Sequence, residues 1–161
     1  MIRVQTQDFD LGAEIKALTA GDAQIGAVAS FVGLVRDINP DASSQAMTLE
    51  HYPGMTEKLL SEIASDAEQR WSLNATLIIH RVGRLEPGDQ IVLVACASRH
   101  RTAAFEACQF IMDWLKTDAP FWKLEEQDGQ GAWVDAREQD RWARDRWLVD
   151  PNDDTQRSEM P

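Results

Sequence analysis

Residues 75–116, ATLIIHRVGRLEPGDQIVLVACASRHRTAAFEACQFIMDWLK, decide the fold. Two short apolar runs, 75–83 and 90–98, are rich in β-branched residues and meet across the polar tetrapeptide EPGD, so they read as paired strands. Pro87 presets φ and Gly88 tolerates a positive φ, the combination required at the two central positions of a type II turn. The apolar period then changes from two to 3.6. Phe105, Cys108, Ile111, Met112 and Leu115 fall on one stripe of a helix over 102–116. Pro120 stops that helix soon after its end.

Outward from this unit, residues 24–36 (QIGAVASFVGLVR) are small and β-branched and end in a charged turn. Residues 46–52 (AMTLEHY) alternate apolar and polar, the signature of a half-buried strand. In 57–71, Leu59, Leu60, Ile63, Ala64, Ala67 and Trp71 share one helical stripe, with Thr56 as the expected N-cap and Glu57 suited to the positive end of the dipole. FWKLEEQ (121–127), DGQG (128–131) and AWVDA (132–136) read as strand, turn and strand, and EQDRWARDRW (138–147) as a charged closing helix. The order ββαββαββα predicts an α+β fold with mostly antiparallel strands, because strands come in pairs between helices.

The chain has 161 residues, enough for one domain with a real core. Residues 1–147 are expected to form that domain, and the polar segment 148–161, with two prolines, to fray without a core role. Hydrophobic residues make up 43% and charged residues 27%, which excludes a chain disordered throughout. A net charge of −11 argues against general binding to nucleic acid or to an anionic membrane. The N-terminus MIRVQTQDFD lacks the charged-then-apolar pattern of an export signal, so a cytoplasmic location is expected. Cys96 and Cys108 sit in apolar surroundings without a CxxC spacing and read as reduced core thiols.

Against this acidic background a few segments are basic. Ser98-Arg99-His100-Arg101 directly precedes the 102–116 helix, Lys116 ends it, and Lys123 follows across the aromatic, proline-containing bend Thr117–Trp122. Arg36 and Arg137 each end a predicted strand. Taken singly, each has an ordinary reading. Lys116 suits a helix C-terminus, Lys123 decorates a strand, and His100 caps or lies on the surface. Taken together they offer more. A His-Arg step at a helix start combines free backbone N–H groups, a positive dipole end and a forked cation, which suits a phosphate. Two lysines brought close, beside Phe121 and Trp122, lower each other's proton affinity and can act as nucleophile or proton carrier. His51 and His80 lie inside predicted strands, far in sequence from metal-ligand partners, and are assigned structural roles with no metal site. A straight helix over 101–116 separates its ends by roughly 22 Å. One small substrate therefore cannot touch His100 and Lys116 of the same chain, and a symmetric dimer with composite sites is expected.

These residues carry a resemblance. FVGLVRD (31–37), LEHYPGMTEK (49–58), IHRVGRLEPGD (79–89), SRHR (98–101), FEACQFIMDWLKTDAPFWK (105–123) and WVDAR (133–137) are similar to the large, catalytic subunits of molybdopterin synthase, over about residues 1–147. The resemblance implies an α/β hammerhead fold with an additional antiparallel β subdomain. It implies a central homodimer flanked by two small ubiquitin-like sulfur-carrier subunits, a heterotetramer. The carrier's C-terminal Gly-Gly thiocarboxylate would deliver two sulfurs to cyclic pyranopterin monophosphate (precursor Z) to form the dithiolene of molybdopterin. It implies no metal or organic cofactor.

By the same resemblance, Lys116 and Lys123 are the catalytic pair, with Lys116 beside the incoming thiocarboxylate. Substrate contacts fall to the backbone of Leu34 and Val35, to Arg36, His100, Arg101, Leu124 and Glu125, and to Arg137 reaching into the neighbouring protomer's site. Phe31 and Met112 would line the pocket. Leu34 stands where some relatives carry a basic residue, and Asp118 lies between the lysines where a cation would be tolerated. The competing reading is a non-catalytic scaffold that docks a ubiquitin-like protein, which would have no use for the phosphate-binding residues. A phosphate-ester hydrolase is disfavoured because no metal ligands or nucleophile pair are evident.

Overall fold

The computed structural model describes residues 1–37, 45–127, 130–134 and 138–148. The expected charged turn after Asp37, the first half of the DGQG turn, Arg137 and nearly all of the polar tail lie outside the described residues.

The elements run β1 (Ile2–Gln5), α1 (Leu11–Thr19), β2 (Ala27–Leu34), β3 (Gln45–His51), α2 (Met55–Trp71), β4 (Ala75–Arg81), β5 (Gly83–Leu85), β6 (Gln90–Ser98), α3 (Arg101–Thr117), β7 (Phe121–Gln127), β8 (Gln130–Val134) and α4 (Glu138–Asp145). They build two four-stranded sheets, in the orders β1-β4-β6-β2 and β5-β3-β7-β8. Only β1 against β4 is parallel. The architecture is α+β, with the second sheet wholly antiparallel.

The first sheet explains why its strands read as unbroken apolar runs. Ile78, Val92, Val94 and Cys96 face a core shared with Leu60, Ile63, Ala67, Ala104, Phe110 and Ile111 of α2 and α3. The alternate residues Leu77, Ile79, Leu93 and Ala95 face a smaller core with Phe9, Ile15 and Leu18. A strand buried on both faces has no polar side to show. Within the larger core Cys96 and Cys108 are buried free thiols, and the bond between them, with burial, pushes Cys96 up.

The sequence reading missed three elements. β1 is a four-residue strand, α1 has no buried residue of its own, and β5 is three residues long. α1 is instead started by its cap, where the Asp10 carboxylate accepts from Ala13 N–H at 2.8 Å, and is tied to β1 by an Arg3–Glu14 ion pair.

Two local expectations need correction. Thr56 does not cap α2. Gly54 does, with Glu57 Oε2 accepting its N–H at 2.6 Å, while the fully buried Thr56 hydroxyl donates to Tyr52 O at 3.0 Å and joins the helix back to the end of β3. Phe105 is 66% exposed and lies outside the apolar stripe of α3 that Ala104, Ala107, Cys108, Ile111 and Leu115 bury. The β5–β6 turn forms as expected: Gly88 has φ +94° and Asp89 N–H donates to Glu86 O at 3.0 Å.

Gly26 connects fold to site. It leads into β2, donates its N–H to Ser98 O at 3.0 Å, and lies so close to the next residue that a Cβ would sit 2.4 Å from Arg99 O. Backbone, not a movable side chain, is the obstacle. Gly26→Ala is therefore expected to lower stability by about 1–3 kcal/mol through forced separation of β2 from the 98–100 step. Urea unfolding of the two proteins checks it.

Candidate active site

α3 carries the candidate residues at its two ends. At its start, His100 is the N-cap residue, extended at φ −130° and ψ 142°, and its side chain makes no capping bond. The imidazole is therefore exposed rather than spent on the helix, as are Arg99 and Arg101 beside it. The first-turn N–H groups of α3 have no carbonyls preceding them in the helix, so this end presents donors, positive dipole and guanidinium together.

At the other end, exposed Lys116 sits in the last turn. The chain bends through Asp118–Pro120, with Phe121 N–H donating to Ala119 O at 2.8 Å, and enters β7. Lys123 is half-buried in β7, opposite Leu49 of β3 and Val134 of β8. Alternation puts it on the same face of the strand as Phe121, and Leu124, opposite Thr48 and Trp133, on the other. Glu125 pairs with Met47 and Ala132.

An aromatic stack joins the two sheets at this end. The Phe121 ring lies 3.7 Å, centroid to centroid, from His80 of β4, with planes 14° apart, and 6.4 Å from His51 of β3. His80 Nδ1 is 2.9 Å from Arg81 O, so it carries the proton and donates it. Burial pulls the His80 pKa down from 6.5 to about 4. The Arg81 bond opposes this, and the charges of Lys116 and His51 add to it. Phe121, which covers that ring, stands two residues before Lys123. His51 Nδ1 is buried there without a hydrogen-bond partner among the described residues.

The remaining candidates lie along β2. Phe31, at the edge of the first sheet, is 41% exposed opposite Val94. Met112 lies one turn along α3 from Cys108 and packs, half-buried, against the core that holds Cys108 and Ala29 of β2. After a register shift at Gly33/Leu34, Leu34 is 55% exposed and Arg36 is also exposed. Val35 is buried with Met47, Leu49 and Leu85. Its N–H donates to Asp89 O and its C=O accepts from Gly88 N, each at 2.8 Å, so it anchors the strand end between the two sheets.

α3 spans 17 residues without a break, about 24 Å. Within one chain the His100–Arg101 cluster and the lysine cluster are two separate half-sites. Sequence reasoning missed His80 and His51 as neighbours of this chemistry. Their strand positions were legible, but the bend that returns Phe121 onto His80 was not.

The model of the family described as MoaE protein matches residues 4–118. A curated relative from Ralstonia nicotianae, the molybdopterin synthase catalytic subunit, is 65% identical over 149 residues, 92% of this chain and 84% of the relative. The chain belongs to the MoaE family. Its activity is that of the molybdopterin synthase catalytic subunits, sulfur transfer in molybdopterin synthesis. The MoaE structure from Burkholderia ambifaria superposes with a TM-score of 0.80 at 55% identity, covering 93% of this chain and 99% of that one. The Helicobacter pylori protein-protein complex of subunit 1 and 2 of molybdopterin-converting factor shares the fold, at TM-score 0.71 and 20% identity, over 84% of this MoaE chain and 91% of that one.

The buried, neutral His80 ties folding to pH. In unfolded chain the imidazole takes a proton below 6.5, whereas in the fold it stays neutral down to about 4. The unfolded state therefore binds the extra proton in that window, and stability falls as pH drops through it. Wild type should lose about 2 kcal/mol between pH 7 and pH 5 from this group. His80→Phe keeps a ring against Phe121 and should lose that much less over the same interval, read from urea unfolding at the two pH values.

Proposed function

We propose that Lys116 and Lys123 are the catalytic pair of this synthase subunit, and that His100, Arg101 and Arg36 hold the anionic substrate. The observation that supports this reading is the Phe121–His80 stack, which packs the start of β7, two residues before Lys123, onto β4. The substrate is cyclic pyranopterin monophosphate. Its phosphate suits the start of α3, where exposed His100 and Arg101 stand beside unpaired first-turn N–H groups. Leu34, Glu125, Leu124 and Arg137 complete the contacts, and Phe31 and Met112 line the pocket wall. Val35 contributes by fixing the strand end from which Leu34 and Arg36 project.

The partner is a small ubiquitin-like sulfur carrier ending in a Gly-Gly thiocarboxylate. The Helicobacter pylori relative, a complex of two different subunits, supports a two-subunit assembly. The separation of the two half-sites supports a homodimer at its centre. A second copy can bring its His100 cluster, and Arg137, to the lysines of the first, a composite arrangement that a symmetric heterotetramer provides twice. The reaction is expected in the cytoplasm.

In the reaction, the arginines and His100 orient the pterin and make the encounter effectively intramolecular. The thiocarboxylate sulfur attacks a pterin carbon and forms the C–S bond. The acyl carbon–sulfur bond then breaks as water, or the Lys116 amine, takes the acyl group. The ammonium groups stabilise the oxyanions that develop in both steps and carry protons during loss of water and ring opening. Two such rounds install the dithiolene.

Loss of one preorganised cation of this kind costs on the order of 10²–10³ in rate. Lys116→Ala is expected to lose that much dithiolene formation with purified thiocarboxylated carrier and pyranopterin phosphate, followed by mass spectrometry of the product. Near-normal turnover would overturn the assignment.

A further inference from the structure

Asp118 is the one carboxylate in the bend Thr117–Trp122 that separates the two lysines. It is also the C-cap of α3, where the helix dipole is negative and a further anion is unfavourable. Left to itself, it would dilute the positive potential on which an anionic substrate depends.

The fold supplies a partner from the far end of the chain. Arg144 of α4 donates from Nη1 to both Asp118 oxygens, each at 3.1 Å, and Thr117 Oγ1 donates to Oδ2 at 2.8 Å. The guanidinium lies 5.8 Å from the centre of the Trp114 ring, and its other edge meets Asp145 Oδ1 at 2.6 and 2.9 Å. The segment that carries it is anchored. Trp147 Nε1 donates to Asp113 Oδ2 at 2.7 Å, and its ring meets Phe110 and Trp71 edge-on at 5.6 and 5.7 Å. Arg146 Nη2 donates to the same Asp113 oxygen at 2.6 Å.

We propose that Arg144 is a positioning counter-charge for the active site: it occupies the Asp118 carboxylate and so reserves the Lys116–Lys123 bend for the anionic substrate and the thiocarboxylate. The proposal rests on the lysine reading above. It makes a prediction that a purely structural clasp does not. If the value of Arg144 lies in silencing Asp118, Arg144 becomes dispensable once Asp118 is uncharged.

The test compares wild type with Arg144→Ala, Asp118→Asn and the double variant, each with the thiocarboxylated carrier, measuring kcat and KM for the pyranopterin phosphate. Arg144→Ala is expected to lower kcat/KM about tenfold, mainly through KM, the size of one uncompensated charge near the site. Asp118→Asn should stay within about twofold of wild type, and the double variant should return to that level. Arg144→Lys, which keeps the charge in a milder change, should rescue most of the loss and serves where Arg144→Ala does not fold. A double variant as impaired as Arg144→Ala, or an Arg144→Ala protein with wild-type KM, would overturn the proposal. Lys116→Ala run alongside separates the two readings. Full activity there removes the lysine assignment itself, whereas an inactive Lys116→Ala with an unrescued double variant removes only the counter-charge.

Discussion

The contact of Phe121 with His80 is the constraint on which the site depends. The two sheets have separate hydrogen-bond ladders, so side chains must fix how one sits on the other. Val35, Met47, Leu49 and Leu85 make one such junction on the β5 side, and the His80–Phe121 stack makes the other at the lysines. The rings of this pair lie 3.7 Å apart in a buried setting. Burial keeps His80 uncharged, and the Arg81 carbonyl holds its Nδ1 proton. The chemistry that makes His80 a poor base at neutral pH thus makes it a firm spacer.

α3 imposes the second constraint. A helix buried along one face against β2 and β6 cannot bend to bring its ends together, and its 17 residues hold the His100–Arg101 cluster about 24 Å from Lys116. Rigidity here favours function. Each half-site is built on a helix terminus, where the backbone already contributes charge: a positive end at His100 for the anion, a negative end at Lys116 for the cation. In the proposed mechanism neither end alone suffices, so a second copy of the chain enters it.

Most of the fold was legible because its signals were local. The 3.6-residue stripe of α3, the EPGD turn and the period-two alternation of β3 each depend on residues a few positions apart. The elements that escaped, β1, α1 and β5, are short and draw their stability from neighbours distant in sequence. β1 exists because Ile2 to Gln5 pair with Ile78 to Arg81, and no window around residue 2 contains that information. The same distinction divides the site. His100, Arg101, Lys116 and Lys123 stood out by type and spacing. His80 looked like any strand histidine until Phe121 came back across the bend onto it, and Arg144 looked like one charge among many in a polar helix. Thr56 was misread for a related reason. A threonine before a helical stripe is a common cap, but burial turned its hydroxyl inward to Tyr52 instead.

A chain with a net charge of −11 for which a phosphate and a thiocarboxylate are the proposed ligands faces an electrostatic contradiction. It is resolved by distance and by pairing. With a Debye length near 8 Å at physiological ionic strength, exposed acids elsewhere on the surface are screened from the crevice, so the sum of charges matters less than those within the first few ångströms. Among the described residues, the three acids on α3 and at its C-cap each have a partner. Asp113 takes Arg146 and the Trp147 N–H, Asp118 takes Arg144, and Glu106 takes the Trp71 N–H. In the proposed mechanism these pairings keep the acids of α3 from the cations at its two ends. On this view the closing helix α4, polar and weakly marked in the sequence, contributes to catalysis by occupying carboxylates rather than by touching substrate, and the acidity of the whole is compatible with a basic site.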